Sequence, residues 1–148
     1  MIRRAHISDV DNILLLETLC FQKGRLKRED ILWLLRNPNA LTFLDYENEA
    51  RGALMLLMEE DVCRILSIAV HPSYRFKGIG KALIAIAEEQ ASRDNMTMVK
   101  LEVNARNRGA IEFYSKLGYE RTGLIPHYYS WGDDAYSMRK ILHQCAKT

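Results

Sequence analysis

The sequence predicts an α+β fold, a mixed and largely antiparallel sheet flanked by helices, in the order β-α-α-β-β-β-α-β-α-β-β. Three observations carry that expectation. Strand-like segments follow one another from Leu41 to Val70, joined only by the short polar turns Glu47-Asn48-Glu49 and Glu59-Glu60-Asp61, as in an antiparallel meander. A strand, a helix and a second strand then succeed each other from Ile65 to Val103, which requires a parallel crossover. Two amphipathic helical segments precede the meander, so helices and strands do not alternate regularly along the chain.

Ile2 to Ala5 reads as a short first strand. Ser8 is a plausible N-cap, with Asp9 and Asp11 placed to favour the positive end of a helix dipole, and Val10, Ile13, Leu14 and Leu16 lead that first helix toward Cys20. Phe21-Gln22-Lys23-Gly24 breaks it. A second helix is expected from about Lys27 to Arg36, ended by Asn37-Pro38-Asn39. Leu41 to Tyr46, Arg51 to Met58 and Ile65 to Val70 are the three strands of the meander. The last is short, apolar and β-branched, as suits a strand buried on both faces. From Lys81 the residues Ala82, Leu83, Ile84, Ile86 and Ala87 recur at helical spacing up to Arg93. Thr97 to Val103 alternates, with Lys100 and Glu102 opposite Val99, Leu101 and Val103. Ala110 to Leu117 forms a short helix stopped at Gly118. Tyr119 to Leu124 and Ala135 to Leu142 form a closing strand pair around a loop from Pro126 to Asp134. Gln144 to Thr148 is expected to be loose.

A chain of 148 residues fits one domain, residues 1–148, with a core that needs no staples. The net charge of +2 is too small for a broad nucleic-acid footprint, so no nucleic-acid partner is expected. Cys20, Cys63 and Cys145 are widely spaced and odd in number. They fit free thiols in a reducing cytoplasm rather than a disulfide framework, and no His, Cys or carboxylate cluster has metal-ligand spacing. No apolar h-region follows Arg3 and Arg4, and no apolar run approaches a membrane span, so neither a leader nor a membrane partner is expected.

The chemistry concentrates in the loop from Arg75 to Lys81. It opens a helix, where unpaired N–H groups and the macrodipole favour an anion, and Arg75, Lys77 and Lys81 add positive charge. Gly78 and Gly80 let a ligand approach the backbone. A P-loop does not fit, because Gly80-Lys81 is followed by Ala82 and position 75 is not glycine. The dinucleotide fingerprint does not fit either, because position 83 is leucine. On the loop alone, a phosphate site and an ordinary loop-to-helix turn remain equally open.

Acyl transfer to an amine would need a base, an N–H donor for the developing oxyanion, and an acid for the departing thiolate. An α-amine titrates at roughly 7.7–8.0 and a lysine at about 10.4, so the base matters more for lysine. Glu102 is the candidate base, near the C-terminal end of its strand; the plainer alternative is a half-exposed strand glutamate. Tyr114 is the candidate acid, against a core aromatic beside Phe113. Asn107 either contacts a ligand or caps the following helix. Backbone N–H groups from Ile68 through Ala69 to Val70 would serve an oxyanion if that strand edge is unpaired.

Arg75-Phe76-Lys77-Gly78-Ile79-Gly80, after a strand ending Val70-His71-Pro72, resembles the acyl-CoA loop of the GCN5-related N-acetyltransferase (GNAT) superfamily, Gln/Arg-x-x-Gly-x-Gly/Ala. Leu101-Glu102-Val103, Asn107 and Ala110-Ile111-x-Phe113-Tyr114-x-x-Leu117-Gly118-Tyr119 resemble the C-terminal half of the same core. Pro126-His127-Tyr128-Tyr129 with Asp133-Asp134-Ala135 is similar to the Tyr-Tyr and Glu-Asp-Ala region of protein N-terminal acetyltransferases, of the ribosomal-protein alanine and Ard types. The resemblance is strong from Ile65 to Tyr119, fair from Ile125 to Ile141 and weak before Leu41. It implies a GNAT-like fold and an N-acetyltransferase of the cytoplasm. Acetyl-CoA would be the co-substrate and no metal would be needed. The acceptor would be a protein or peptide N-terminus, including that of a ribosomal protein, attacked directly.

By that resemblance Ile68, Ala69 and Val70 pair with the pantetheine arm, and Arg75, Phe76, Lys77, Gly78, Ile79, Gly80 and Lys81 hold the pyrophosphate. Asn107 and Tyr114 lie near the arm and its sulfur. Phe21, Glu102, Tyr128 and Tyr129 line the acceptor groove. Where many relatives carry Phe-Pro in the first helix-to-helix turn, this chain has Phe21-Gln22-Lys23-Gly24, and cationic Lys23 and Arg25 favour an acidic peptide there. Acetylation of lysine or of a small amine, and a CoA-binding module without catalysis, are the rival readings. Monomer and dimer both remain open.

Overall fold

The computed structural model describes residues 1–142; the expected loose tail and Cys145 lie outside the described residues. The chain forms β1 (Ile2–Arg4), α1 (Val10–Cys20), α2 (Arg28–Arg36), β2 (Ala40–Glu47), β3 (Glu49–Glu59), β4 (Val62–Val70), α3 (Ile79–Arg93), β5 (Met98–Asn104), α4 (Arg108–Lys116), β6 (Glu120–Ile125) and β7 (Ala135–Ile141), with 3-10 turns at Ile7–Asp9 and Pro72–Tyr74. The order is the one the sequence predicts. Boundaries move by a few residues, most at β4, which begins upstream of the apolar run.

One sheet orders its strands β1-β2-β3-β4-β5-β7-β6. Every neighbouring pair is antiparallel except β4 and β5, which α3 connects as a parallel crossover. The two sheet faces follow the period-2 alternation of β3. Leu54 and Leu56 pack with Ile79, Leu83 and Ala87 of α3, while Ala53 and Met55 pack with Ile13 and Leu16 of α1 and Ile31 and Leu34 of α2. Burial of these side chains on both faces is what holds the sheet, at about 1.5–3 kcal/mol for each large one.

The first helix starts differently from expectation. Ser8 does not cap it. Asp9 instead accepts the His6 N–H at 2.8 Å and a two-pronged ion pair from Arg3 at 2.8 and 2.9 Å, which tightens the entry into a 3-10 turn ahead of α1. A carboxylate can satisfy several donors at once, and the guanidinium supplies two that a serine hydroxyl could not match.

Two features of the sheet position the site. β4 and β5 pair only at Val62 with Met98, Cys63 with Val99 and Arg64 with Lys100, after which they part. The β3–β4 register also slips, so that Leu56 opposes Ile65 and Met55 opposes Ser67, leaving Leu66 as a bulge.

Candidate active site

The parting of the two strands leaves one edge of β4 without a neighbour from Ile65 onward. The His71 N–H donates to Arg51 O at 2.8 Å on the β3 side, so backbone alternation turns the N–H groups of Val70 and Ile68 toward the open edge. Of the oxyanion and pantetheine positions expected on this strand, the Ile68 and Val70 N–H groups are therefore unpaired, while Ala69 faces Ala53 of β3. The Val70 carbonyl on that edge accepts from Arg75 Nε at 3.2 Å and from the Cys20 thiol at 3.3 Å. Arg75 thus folds back on the strand end instead of reaching outward.

Beyond it, Gly78 is the N-cap residue of α3, with φ +84 and no side chain to satisfy the helix donors. A Cβ there would meet nothing within 4 Å. The space over the first turn of α3 is open, and its N–H groups are free for an anion, flanked by Lys77 and Lys81. These residues fit a phosphate-bearing co-substrate. Phe76 is fully exposed at φ 64 on the same loop. Gly80 answers a different need from the one expected: its Cβ would come within 3.2 Å of Phe113 Cζ on α4, so it allows helix packing.

A groove of about 540 Å³ runs along the other side of the parted strands. Its walls are the α1–α2 loop with Phe21, Lys23 and Gly24, and the β6–β7 segment with Tyr129 and Trp131. Ile68, Glu102 and Asn107 also line it, so five residues expected from sequence meet in one place. Asn107 caps α4 as well, accepting the Ala110 N–H at 3.1 Å. Trp131 stacks on Tyr129 at 4.7 Å and 19° and lies over Gly24; a Cβ built on Gly24, which has φ +70, would sit 2.6 Å from its ring. The two loops thereby touch across the groove. The indole N–H donates to Asp133 Oδ2 at 2.8 Å, and Asn104 donates to the same oxygen at 3.0 Å. The Asn104 and Trp131 hydrogen bonds hold Asp133 below the usual carboxylate range, with Arg106 and Lys23 adding to the effect. Lys23 thus has a carboxylate within electrostatic reach on the opposite wall of the groove.

Glu102 sits just past the last β4–β5 pair, its side chain 7% exposed. Its Oε1 is held by Arg64 Nη2, and Tyr128 Oη lies 3.2 Å from that nitrogen and 3.4 Å from Oε1. Its Oε2 is buried and has no hydrogen-bond partner; Lys100 Nζ, at 4.0 Å, is too distant for one. An orphan acceptor of this kind suits a donor that arrives with a substrate.

Tyr114, on α4, is 7% exposed, edge-on to Phe113 and Tyr119. The packing expected of a core aromatic is present. Its hydroxyl makes no hydrogen bond, yet it is absent from the sealed and unpaired side-chain atoms, which are Thr42 Oγ1, Arg64 Nε and Glu102 Oε2 among the described residues. The ring is buried and the hydroxyl keeps an opening. Burial, then the neighbouring Tyr129, push its pKa well above the ordinary tyrosine value, so it stays protonated at neutral pH. His127 is exposed and does not line the groove; its backbone N–H donates to Asp134 Oδ1 at 2.9 Å.

Three groove residues, Glu17, Cys20 and Ser67, and Arg64 beside Glu102 were not singled out from the sequence as functional. Arg64 and Ser67 read as strand polar residues. Cys20 lies in the groove wall with its thiol pKa raised mainly by burial, so it remains protonated and is a poor nucleophile. Glu17 had a signal: it falls four residues after Ile13 on the buried face of α1, where a charge is out of place.

The acetyltransferase (GNAT) family model matches residues 9–119. An N-alpha-acetyltransferase of Sulfurisphaera tokodaii is 31% identical over 151 aligned residues, covering 93% of this chain and 90% of that protein. The solved structure of Ard1 from Thermoplasma volcanium superposes with a TM-score of 0.88 at 27% identity, over 97% of this chain and 98% of that one. The ribosomal-protein-S18-alanine N-acetyltransferase of Escherichia coli shares the fold, with a TM-score of 0.89 at 20% identity over 100% and 97% of the two chains. An unpaired strand edge and a groove lined by a carboxylate are thus set in the expected fold, and the chain belongs to the acetyltransferase (GNAT) family, an acyltransferase whose co-substrate is acetyl-CoA.

Proposed function

We propose that this enzyme acetylates the α-amino group of a protein or peptide N-terminus by direct transfer from acetyl-CoA. The observation that carries the reading is the buried, unpartnered Oε2 of Glu102 at the point where β4 and β5 part, in the wall of the groove. An N-terminal amine entering between Phe21 and Tyr129 comes to the wall that Glu102 lines, and a turn of the Glu102 side chain brings the sealed oxygen to it. The backbone N–H groups of Ile68 and Val70 face the same opening. The whole-length similarity to an N-alpha-acetyltransferase supports the same acceptor.

In this reading Glu102 takes a proton from the entering ammonium, directly or through water. The neutral nitrogen attacks the thioester carbonyl, and an N–C bond forms. Negative charge gathers on the carbonyl oxygen and is met by an N–H of the β4 edge. The C–S bond breaks and the thiolate receives the Tyr114 proton, while the nitrogen sheds its second proton as the amide forms and groove water returns a proton to the tyrosinate. The α3 N-terminus with Lys77, Gly78, Ile79, Gly80 and Lys81 anchors the pyrophosphate, Arg75 and Phe76 serving through the loop backbone while the Arg75 side chain stays on Val70 O. The contact Ala69 makes on the same strand is with the core beneath. Tyr128 and Tyr129 bind the peptide backbone, and Tyr128 also orients Glu102 together with Arg64.

The test is release of free CoA from acetyl-CoA with two peptide pools, one with free N-termini and no lysine, the other with blocked N-termini and internal lysine. A ribosomal-protein N-terminal peptide belongs in the first pool. Turnover confined to the first pool is expected. Turnover confined to the second moves the acceptor to lysine, and silence on both with acetyl-CoA bound moves it to small amines or to a module without catalysis.

A further inference from the structure

Glu17 is the one acidic side chain among the largest fully buried side chains, at 1% exposure. It also lines the acceptor groove. Its Oε1 accepts the Leu26 N–H at 2.8 Å, at the end of the α1–α2 loop, and its Oε2 accepts the Ser67 hydroxyl at 2.7 Å. No cation lies within ion-pair distance of it among the described residues. Burying an ionisable carboxyl without a counter-charge is costly, and a group so placed in a groove is a candidate for function. Ser67 is half-buried, lines the same groove, and directly precedes Ile68, whose N–H faces the open edge. The hydroxyl and the carboxylate thus meet, hydrogen-bonded, in the groove wall.

We propose that Glu17 is a second proton acceptor of the groove, reached through Ser67. As the acceptor nitrogen bonds to the acyl carbon, one of its protons passes to Ser67 Oγ while the Ser67 proton passes to Glu17 Oε2. The amine is left neutral, the serine is unchanged and the carboxylate becomes a carboxylic acid, which returns its proton to water after the product leaves. Burial outweighs the Leu26 and Ser67 hydrogen bonds and pushes the Glu17 carboxyl above its ordinary range, the direction that brings a base closer to an α-amine. The titratable and charged groups around it are Cys20 on its own helix, with Arg75 beyond, Glu102 on β5, and Lys23, Arg106 and Asp133 along the groove.

The inference rests on this groove taking the acceptor amine. Activity of the wild-type enzyme on a free-N-terminus peptide is therefore measured first, and silence there sinks the acceptor assignment before any variant is compared. Glu17→Gln, Ser67→Ala and the double variant are then followed by kcat/KM against pH. Each single variant is expected to lose about a hundredfold, the low end of general-base effects, with peptide KM little changed and one ionisation gone from the acid limb. The double variant loses no more than either alone, because the two groups form one relay. Glutamine keeps an acceptor for Leu26, and Ser67→Ala leaves that contact untouched, so Ser67→Ala decides if Glu17→Gln folds poorly. An unchanged acid limb in Ser67→Ala, a change confined to peptide KM, or losses that simply multiply would overturn the relay.

Discussion

Replacing Arg64 by methionine removes the guanidinium that holds Glu102 while keeping most of the apolar stem. In the structure Arg64 Nη2 contacts Glu102 Oε1, and Arg64 Nη1 lies 3.6 Å from Glu59 Oε1. The arginine is 32% exposed and the glutamate 7%. Removing one partner of a fully buried pair costs about 3–5 kcal/mol, while an exposed pair contributes about 0.2–1 kcal/mol. With one partner reaching solvent and the other sealed, Arg64→Met is expected to cost about 2 kcal/mol, a fall in Tm of roughly 6 °C. Most of that cost is the stranded charge on Glu102. The double variant Arg64→Met, Glu102→Gln has no charge to strand and is expected to recover more than half of it. Urea unfolding of the four proteins in the cycle gives the coupling directly, with at least about 1 kcal/mol expected for groups in contact. A coupling inside the ~0.5 kcal/mol found for independent sites would refute the reasoning. It would mean that Glu102 is positioned by its strand alone and that Arg64 is a bystander.

Asp9→Asn tests the start of α1. Arg3, foremost, and the His6 N–H hold the Asp9 carboxyl at about 2, against an ordinary 3.8, so its folded state prefers the charged form. The resulting stability, about 2 kcal/mol, is fully present above pH 4 and lost as pH falls toward 2. Unfolding curves of Asp9→Asn and wild type should differ at pH 7 and converge near pH 2; parallel curves would contradict the pairing. Gly24→Ala forces a Cβ to within 2.6 Å of Trp131 Cη2 at a left-handed φ. It should raise peptide KM while leaving acetyl-CoA KM unchanged, and equal effects on both would show that the two loops do not shape the acceptor side. Gly78→Ala meets no neighbour but keeps φ +84, so about 1–2 kcal/mol of stability and much of the acetyl-CoA affinity should go, read by melting with and without CoA. Tyr114→Phe should lower kcat by about tenfold or more with Tm nearly unchanged, since the hydroxyl has no hydrogen bond to lose. An earlier melt with full turnover would leave Tyr114 as a core aromatic only.

The element order was legible because each element carries its own periodicity: 3.6 in Leu83, Ile84 and Ala87, and 2 in Val99, Leu101 and Val103. The loop and Glu102 were legible through the pattern of residues around them. What stayed hidden depends on contacts between distant segments. Arg64 and Glu102 are 38 positions apart and Ser67 and Glu17 are 50 apart. Nothing local in either strand announces a partner on another element. Trp131 over Gly24 is hidden for the same reason, although a glycine in a loop that closes a groove is where a large ring can lie. Ser8 was misplaced as a cap because local spacing rates a serine and an aspartate alike, whereas Arg3 makes Asp9 the stronger group.

The bulge at Leu66 links these hidden features. In an unbroken strand Cys63, Ile65, Ser67 and Ala69 would share one face, and the serine hydroxyl would point into the apolar layer beneath α3. The extra residue changes the parity. Cys63 and Ile65 stay with the α3 side, joined by Ile68 and Val70, while Leu66 and Ala69 turn to the α1 side. Ser67 is carried with them and meets Glu17 of α1 on that face. A bulge also bends its strand and increases local twist, and the last β4–β5 pair, at Arg64 and Lys100, lies two residues before it. One inserted residue therefore goes with both the unpaired β4 edge and the meeting of a hydroxyl and a carboxylate on the groove side. Deleting Leu66 should reverse both at once, returning Ser67 to an apolar face where its hydroxyl has no partner.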